Sequence, residues 1–281
     1  MIYAVTAVSG QLGREIALKL IGRFGTDNVI GLARTPARVE GLGIDVRLGD
    51  YDKPNDLRAS LKGIDALILV SGIAPPEDRI QQHRNVIEAA KSAGVRKIVY
   101  TSIQGPIEGT AFSPVVQSNR QTEADIRASG LDWAIGRNGI YIEPDVEYID
   151  SYRTQGEIAN SAGSGKCGYT TRSELAHAYT ALLARDDLNG ETFNLNGTPI
   201  TQNQLAEHLN AAFETELTYR AMSSADFVAD RSAELGDFFG PIIGGIYDGI
   251  SRGSYDRIGS FETVTGRPHQ SWGDYFASLA E

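Results

Sequence analysis

A doubly wound α/β fold, with one large parallel sheet carrying helices on both faces, is what this sequence predicts. Three observations carry that expectation. Short apolar runs alternate with helical patterns through the first half of the chain. Glycines sit one or two at a time where those runs end, and there are 31 in 281 residues, above a usual share of ~7%. One run, residues 66–70 (A-L-I-L-V), is apolar throughout, as a central strand covered on both faces must be.

The elements follow in order. Residues 2–5 open the chain as a strand. Leu12, Ile16 and Leu20, flanked by Ala17, Ile21 and Phe24, form one helical stripe that Gly25 ends. Residues 29–33 and 44–48 read as the second and third strands. Leu57 and Leu61 mark a short helix before the apolar strand 66–70. Ile80, His83, Ile87 and Ala90 make another stripe, closed by Gly94. A strand at 97–100, a helix at 122–129 ended by Gly130, and a strand starting at 133–135 complete the alternation. Strand-then-helix order implies parallel pairing with right-handed crossovers.

Beyond about residue 140 the rhythm loosens. Thr171 with Glu174 looks like a capped helix start, and Thr201 with Gln204 like another. Residues 191–195 (E-T-F-N-L) read as a late strand. The stretch 238–253, rich in glycine and aromatics, reads as a mobile or substrate-facing segment. There is no internal repeat and no clear linker.

Composition narrows the function classes. Lys and Arg number 26 and Asp and Glu 36, for a net charge of −10. That argues against a nucleic-acid or membrane-surface binder, which needs a basic face. No apolar stretch reaches the ~18 residues of a membrane span, and the amino terminus lacks the basic segment of a signal peptide. The single cysteine, Cys167, excludes an internal disulfide framework and suits a reducing cytoplasm. Four scattered histidines (His83, His177, His208, His269) show no zinc spacing, so no metal is expected.

The first strand meets the first helix at V-T-A-V-S-G-Q-L-G, residues 5–13. Such a turn gathers backbone N–H groups and the positive end of a helix, a place for a pyrophosphate. Thr6, Ser9, Gly10, Gln11 and Leu12 are the expected contacts, with Gly13 letting the helix pack on the strand. Ala7 stands where this pattern has its first glycine. A dinucleotide in a Rossmann-like domain is the reading that this context favours. After the second strand no acid occurs between Asn28 and Val39, while Arg34 and Arg38 are fit to hold a 2′-phosphate. Two solvated arginines are the plain alternative. Asp50 and Tyr51 follow the third strand, suited to the adenine. Ser71 and Gly72 follow the fourth, Thr101 and Ser102 the fifth, and Asn138 and Tyr141 the sixth. All lie at carboxyl ends of parallel strands and so converge on one crevice. His83, on the apolar face of its helix, reads first as a core histidine and is carried as a cofactor-contact candidate.

These pieces together resemble the NmrA-like branch of the atypical short-chain dehydrogenase/reductase family. The resemblance runs through T-A-V-S-G-Q-L-G, A-R-T-P-A-R, R-L-G-D-Y-D, Q-H-R-N-V-I-E-A-A-K-S-A-G-V-R-K-I-V-Y-T-S and R-N-G-I-Y. It continues through T-R-S-E-L-A-H-A and E-T-F-N-L-N-G to I-Y-D-G-I-S-R-G, nearly the whole chain. It implies NADPH bound by residues 1–150 and hydride transfer. It further implies a smaller α/β substrate lid in residues 151–281, from which residues 190–196 are candidates to return to the main sheet. The wider family's Tyr-x-x-x-Lys pair is absent, since none of the twelve tyrosines has lysine four residues later. Quinone reductases of the branch carry histidine and lysine where this chain has Asn119 and Ala124.

The expected activity is therefore NADPH-dependent reduction of a quinone-like or other conjugated electrophile. Such a small-molecule acceptor needs no strong enzymic acid. Asn138 and Tyr141, matched to the family's R-N-x-x-Y, would orient it by hydrogen bonding. The alternative is a redox-sensing regulator that binds NAD(P) without turnover. A homodimer is compatible with either reading, and neither involves nucleic acid or a membrane.

Overall fold

The computed structural model describes residues 1–280. In chain order the elements are β1 (Tyr3–Val5), α1 (Gln11–Phe24), β2 (Val29–Ala33), β3 (Asp45–Leu48), α2 (Pro54–Ser60), β4 (Ala66–Val70), α3 (Pro76–Ala93), β5 (Lys97–Ile103), α4 (Ser113–Arg127) and β6 (Asp132–Asn138). There follow β7 (Ile140–Tyr141), α5 (Glu143–Glu147), α6 (Ile149–Gln155), β8 (Glu157–Asn160), β9 (Tyr169–Thr170), α7 (Arg172–Ala184) and β10 (Thr192–Leu195). The chain closes with α8 (Gln202–Phe213), β11 (Thr218–Ala221), α9 (Ser224–Ser251), α10 (Phe261–Thr265) and α11 (Trp272–Ala277).

Seven parallel strands form the main sheet in the order β10-β6-β5-β4-β1-β2-β3. This is the Rossmann-like doubly wound arrangement. The strand order reverses at β1, which pairs with β2 on one side and β4 on the other, and ligand crevices form at such points. Residues of α1 and α7 (Ile16, Leu20, Leu175, Leu182) pack one face of the sheet. Residues of α2, α3 and α4 (Leu57, Val86, Ala90, Ile126) pack the other. Both layers are fully buried at these positions, which explains why the central strands are apolar on both sides. β10 pairs with β6, and α7 packs on α1, so the chain re-enters the main layers after residue 170. A separate cluster around Ile142, Tyr169, Leu205, Trp272 and Phe276 forms the core of the second part.

The structure corrects one expectation of the sequence and gives another its form. α4 starts at Ser113 rather than at residue 122. Its first turns bury Val115 and Val116 together with the polar Ser113, Ser118 and Asn119, so the buried face is mixed and carries no continuous apolar stripe. Residues 238–251, read from the sequence as a mobile or substrate-facing segment, lie within helix α9. α9 breaks at Gly236 (φ +81°) and folds back on itself. An added Cβ at Gly240 would meet Ser232 Oγ at 2.4 Å, and one at Gly244 would meet Val228 Cγ2 at 2.3 Å. The glycines there serve close approach of two helical arms. Among the described residues no helix is long and apolar enough to cross a membrane, and no group of His, Cys, Asp and Glu could hold a metal ion.

Candidate active site

The carboxyl ends of β1, β2, β4, β5 and β6 open into a cleft of about 620 Å³. Its floor is the turn from β1 to α1. Gly10 is the N-cap of α1 and offers no side-chain cap, and no acid lies in the first turn. The leading amides of a 14-residue helix are thus left to a ligand. Gly13 is packed so tightly that a Cβ would lie 2.3 Å from Ala7 O. Ala7 itself adopts φ +53°, the left-handed region that glycine occupies without cost.

Of the residues singled out in the sequence, Ser9, Gly10, Gln11, Leu12, Arg34, Asp50, Tyr51, Ser71, Gly72, Thr101, Ser102, Asn138 and Tyr141 line this cleft. Three do not. Thr6 is buried, where its Oγ1 accepts from Val70 N at 2.9 Å and bonds the Tyr51 hydroxyl. It ties β1 to β4 and holds the tyrosine. Arg38 is exposed on a short turn beyond β2, away from the cleft. His83 is fully buried behind the wall, where Nε2 accepts from Gly72 N at 3.0 Å.

Several cleft groups are committed to the protein. Tyr51 Oη donates to Val70 O at 2.7 Å. Thr101 Oγ1 accepts from Ser71 N at 2.9 Å. Ser102 Oγ donates to Glu123 Oε1 at 2.7 Å and accepts from Arg120 at 3.2 Å. Burial alone would raise the Glu123 carboxyl, but hydrogen bonds from Arg137 and Ser102 and the charges of Arg120 and Arg137 bring it down to about 2. Asn119, on α4, accepts from Tyr100 Oη at 2.6 Å and donates to Val115 O at 2.8 Å. No proton donor stands there in place of the missing Tyr/Lys pair.

Asn138 and Tyr141 are brought together. Tyr179 Oη donates to Asn138 Oδ1, which turns the Asn138 amide nitrogen toward Tyr141 Oη at 3.1 Å. Gly136 makes this possible, because a Cβ there would sit 2.6 Å from Tyr179 Oη. Tyr141 oxygen is thus an acceptor from Asn138, and its own hydrogen remains for the cleft. Burial pushes its phenol up to about 12, so it stays neutral near pH 7. The Arg172 guanidinium lies over the Tyr141 ring, 5.5 Å from its centroid.

Further side chains line the cleft, among them Arg172 and Arg79, which the sequence did not single out, and three from the stretch 238–253 that it read as mobile or substrate-facing. Phe238, Phe239 and Ile242 come from α9, Arg172 from the start of α7 and Arg79 from α3. Phe238 and Phe239 form an edge-to-face pair with centroids 5.0 Å apart and remain 46% and 47% exposed. Arg79 had a signal: it falls four residues before His83, on a stripe that is otherwise apolar.

Fold and site together define a Rossmann-type dinucleotide-binding protein. A family described as NAD(P)H-binding matches residues 8–186, and the chain belongs to it. The chain is 31% identical over 271 residues to quinone oxidoreductase 2 of Escherichia coli, covering 94% of each. The crystal structure of an NADPH-dependent quinone oxidoreductase from Escherichia coli, complexed with NADPH, is similar at 28% identity. Its TM-score is 0.91, with 100% of both chains covered. The Citrobacter triphenylmethane reductase complexed with NADP(H) is similar at 27% identity and a TM-score of 0.89, again over 100% of both chains.

Proposed function

We propose that this protein is an NADPH-dependent reductase of quinone-like or other conjugated electrophiles. The observation that carries this reading is the relay from Tyr179 through Asn138 to Tyr141. It ends in the cleft on a neutral hydroxyl whose hydrogen is free. Such a group orients and polarises a carbonyl but is a weak acid. It suits acceptors that need a hydride and a hydrogen bond, not an alkoxide's full protonation.

Gly10, Gln11 and Leu12 hold the pyrophosphate on the free amides of α1, and Arg34 takes the 2′-phosphate. The packing of Gly13 against Ala7 O and the acid-free first turn fit an anionic cofactor at that place. Asp50 and Tyr51 border the adenine. Ser71 and Gly72, fixed from behind by Thr101 and His83, line the ribose path. Bound NADPH supplies the hydride. Tyr141 and Asn138 set the acceptor against it, and Phe238 and Phe239 cover the acceptor's flat face and exclude water. The one cysteine, Cys167, is buried, which suits work in the reducing cytoplasm.

Absorbance of NADPH followed against a simple quinone tests the reading. Acceptor-dependent oxidation, faster than with NADH, is expected. Tight NADPH binding without oxidation by any acceptor would overturn it in favour of a dinucleotide-sensing regulator.

A further inference from the structure

The cleft wall holds a cation that no carboxylate balances. Arg79 is 7% exposed and lines the cleft. Its Nη2 donates to Ala74 O at 2.8 Å, and Nη1 reaches Ser118 Oγ only at 3.4 Å. Nε is buried without a partner, and among the described residues no acid forms a salt bridge with this guanidinium. The ionisable neighbours do not compensate. His83 is kept neutral by burial, and so is the phenol of Tyr100, which burial pushes up to about 12. An arginine keeps its proton in such a place, and an unpaired buried charge is strongly destabilising unless a ligand supplies the counter-charge.

The cofactor's phosphates are poor candidates for that ligand. Arg34 and the amides of α1 serve the side of the crevice built on β1 and β2. Arg79 sits on α3 and faces Ser118 of α4, beside the cleft-lining Val115 and Asn119, on the side of β4 and β5.

We infer that Arg79 selects acceptors that become anionic on reduction, quinone-type carbonyl compounds, over acceptors that start as cations. The inference rests on the reductase reading. A quinone that takes hydride from the reduced dinucleotide becomes a hydroquinone monoanion, leaves the dinucleotide oxidised, and then takes a proton from water. A fixed guanidinium in a low-dielectric wall stabilises that developing oxyanion without reorganising. A cationic triphenylmethane dye that takes the same hydride becomes neutral. It gains nothing from Arg79 and is repelled by it in the ground state.

The experiment compares wild type, Arg79→Met and Arg79→Lys with benzoquinone and a cationic triphenylmethane dye, alongside NADP⁺ affinity and thermal melting. Arg79→Met is expected to lower kcat/KM for the quinone about tenfold or more, raise it for the dye, and leave the NADP⁺ Kd within about twofold. Arg79→Lys restores the wild-type preference. Parallel loss with both acceptors, or a loss confined to NADP⁺ affinity, overturns the inference. Should Arg79→Met fail to fold, the wild-type protein holding NADP⁺ still answers. It should bind 4-nitrophenolate in preference to uncharged 4-nitroanisole, and equal affinity for the two refutes the role of Arg79. A wild type inert toward both acceptors refutes the reductase reading instead, and the nitrophenolate comparison still decides the role of Arg79.

Discussion

His83 Nε2 accepts a hydrogen bond from Gly72 N at 3.0 Å, which makes a side chain of α3 the anchor of the loop after β4. The opposite nitrogen, Nδ1, lies 2.9 Å from Thr122 Oγ1, whose hydroxyl donates onward to Ser118 O at 3.1 Å. Nε2 must therefore carry the lone pair and Nδ1 the proton. One neutral tautomer satisfies every partner. Burial first, and then the charge of Arg79, pushes its pKa down to about 3.

That pairing predicts acid sensitivity of known sign. Between the ordinary value of 6.5 and the folded value of about 3, the unfolded chain binds the proton and the folded protein does not. Stability is therefore lost as pH falls through the unfolded value. Denaturant unfolding of wild type and His83→Gln at several pH values isolates the histidine's contribution. Relative to the variant, wild type should lose about 2 kcal/mol between pH 7 and pH 5. Parallel curves would mean that the ring titrates normally in the fold.

Ala7 holds φ +53° at the turn that opens the cleft. An L-residue pays roughly 1 kcal/mol for that conformation and glycine does not. Ala7→Gly should raise the unfolding free energy by about 0.5–1 kcal/mol. Dinucleotide affinity should be maintained or improved. A lower Tm would show that the methyl makes packing contacts worth more than the strain it brings.

Arg34 is the cation at the end of β2, exposed on the cleft, with no acid near it in the sequence. Arg34→Ala should weaken NADPH by about 1.5–3 kcal/mol, the worth of a hydrogen bond to a charged group. NADH should be nearly unaffected. Titration of nicotinamide fluorescence measures both, and equal losses would remove the 2′-phosphate from this residue.

Tyr141 accepts from Asn138 and keeps its hydrogen for the cleft. Tyr141→Phe should lower kcat for a quinone about tenfold, with little change in NADP⁺ affinity. Because burial pushes the phenol up to about 12, the wild-type rate should show no ionisation of this group between pH 6 and pH 9. A kcat unchanged in the phenylalanine variant would take the hydroxyl out of the reaction.

The sheet was legible because the middles of its central strands are buried on both faces and apolar, with polar residues mostly at their ends. Residues 66–70 are the clearest case, buried at all five positions. The start of α4 was illegible for the opposite reason. Val115 and Val116 are buried there, but Ser118, Asn119 and Thr122 interrupt the buried face with polar groups that serve a hydrogen-bond network, and no unbroken hydrophobic period results. At the site, the strand ends located the crevice, because topology alone brings them together. Roles within it were harder. Thr6 and His83 lie at the right places but turn their polar atoms to the backbone of Val70 and Gly72. Phe238, Phe239 and Ile242 lie in a stretch that the sequence read as mobile or substrate-facing, but they reach the cleft through the reversal of α9, a path that a short window of sequence cannot show.

That reversal separates two kinds of inheritance. The arms of α9 zip through Val228 against Gly244 and Ser232 against Gly240, while Gly245 seats the returning arm on the backbone at Phe112. The tip beyond these contacts carries the two phenylalanines and takes no part in the main sheet. On the proposed function, substitutions at the tip change which molecules are accepted while the cofactor-binding residues at the strand ends stay as they are. A family built this way can diversify its chemistry along one short stretch of chain and keep its reductant unchanged.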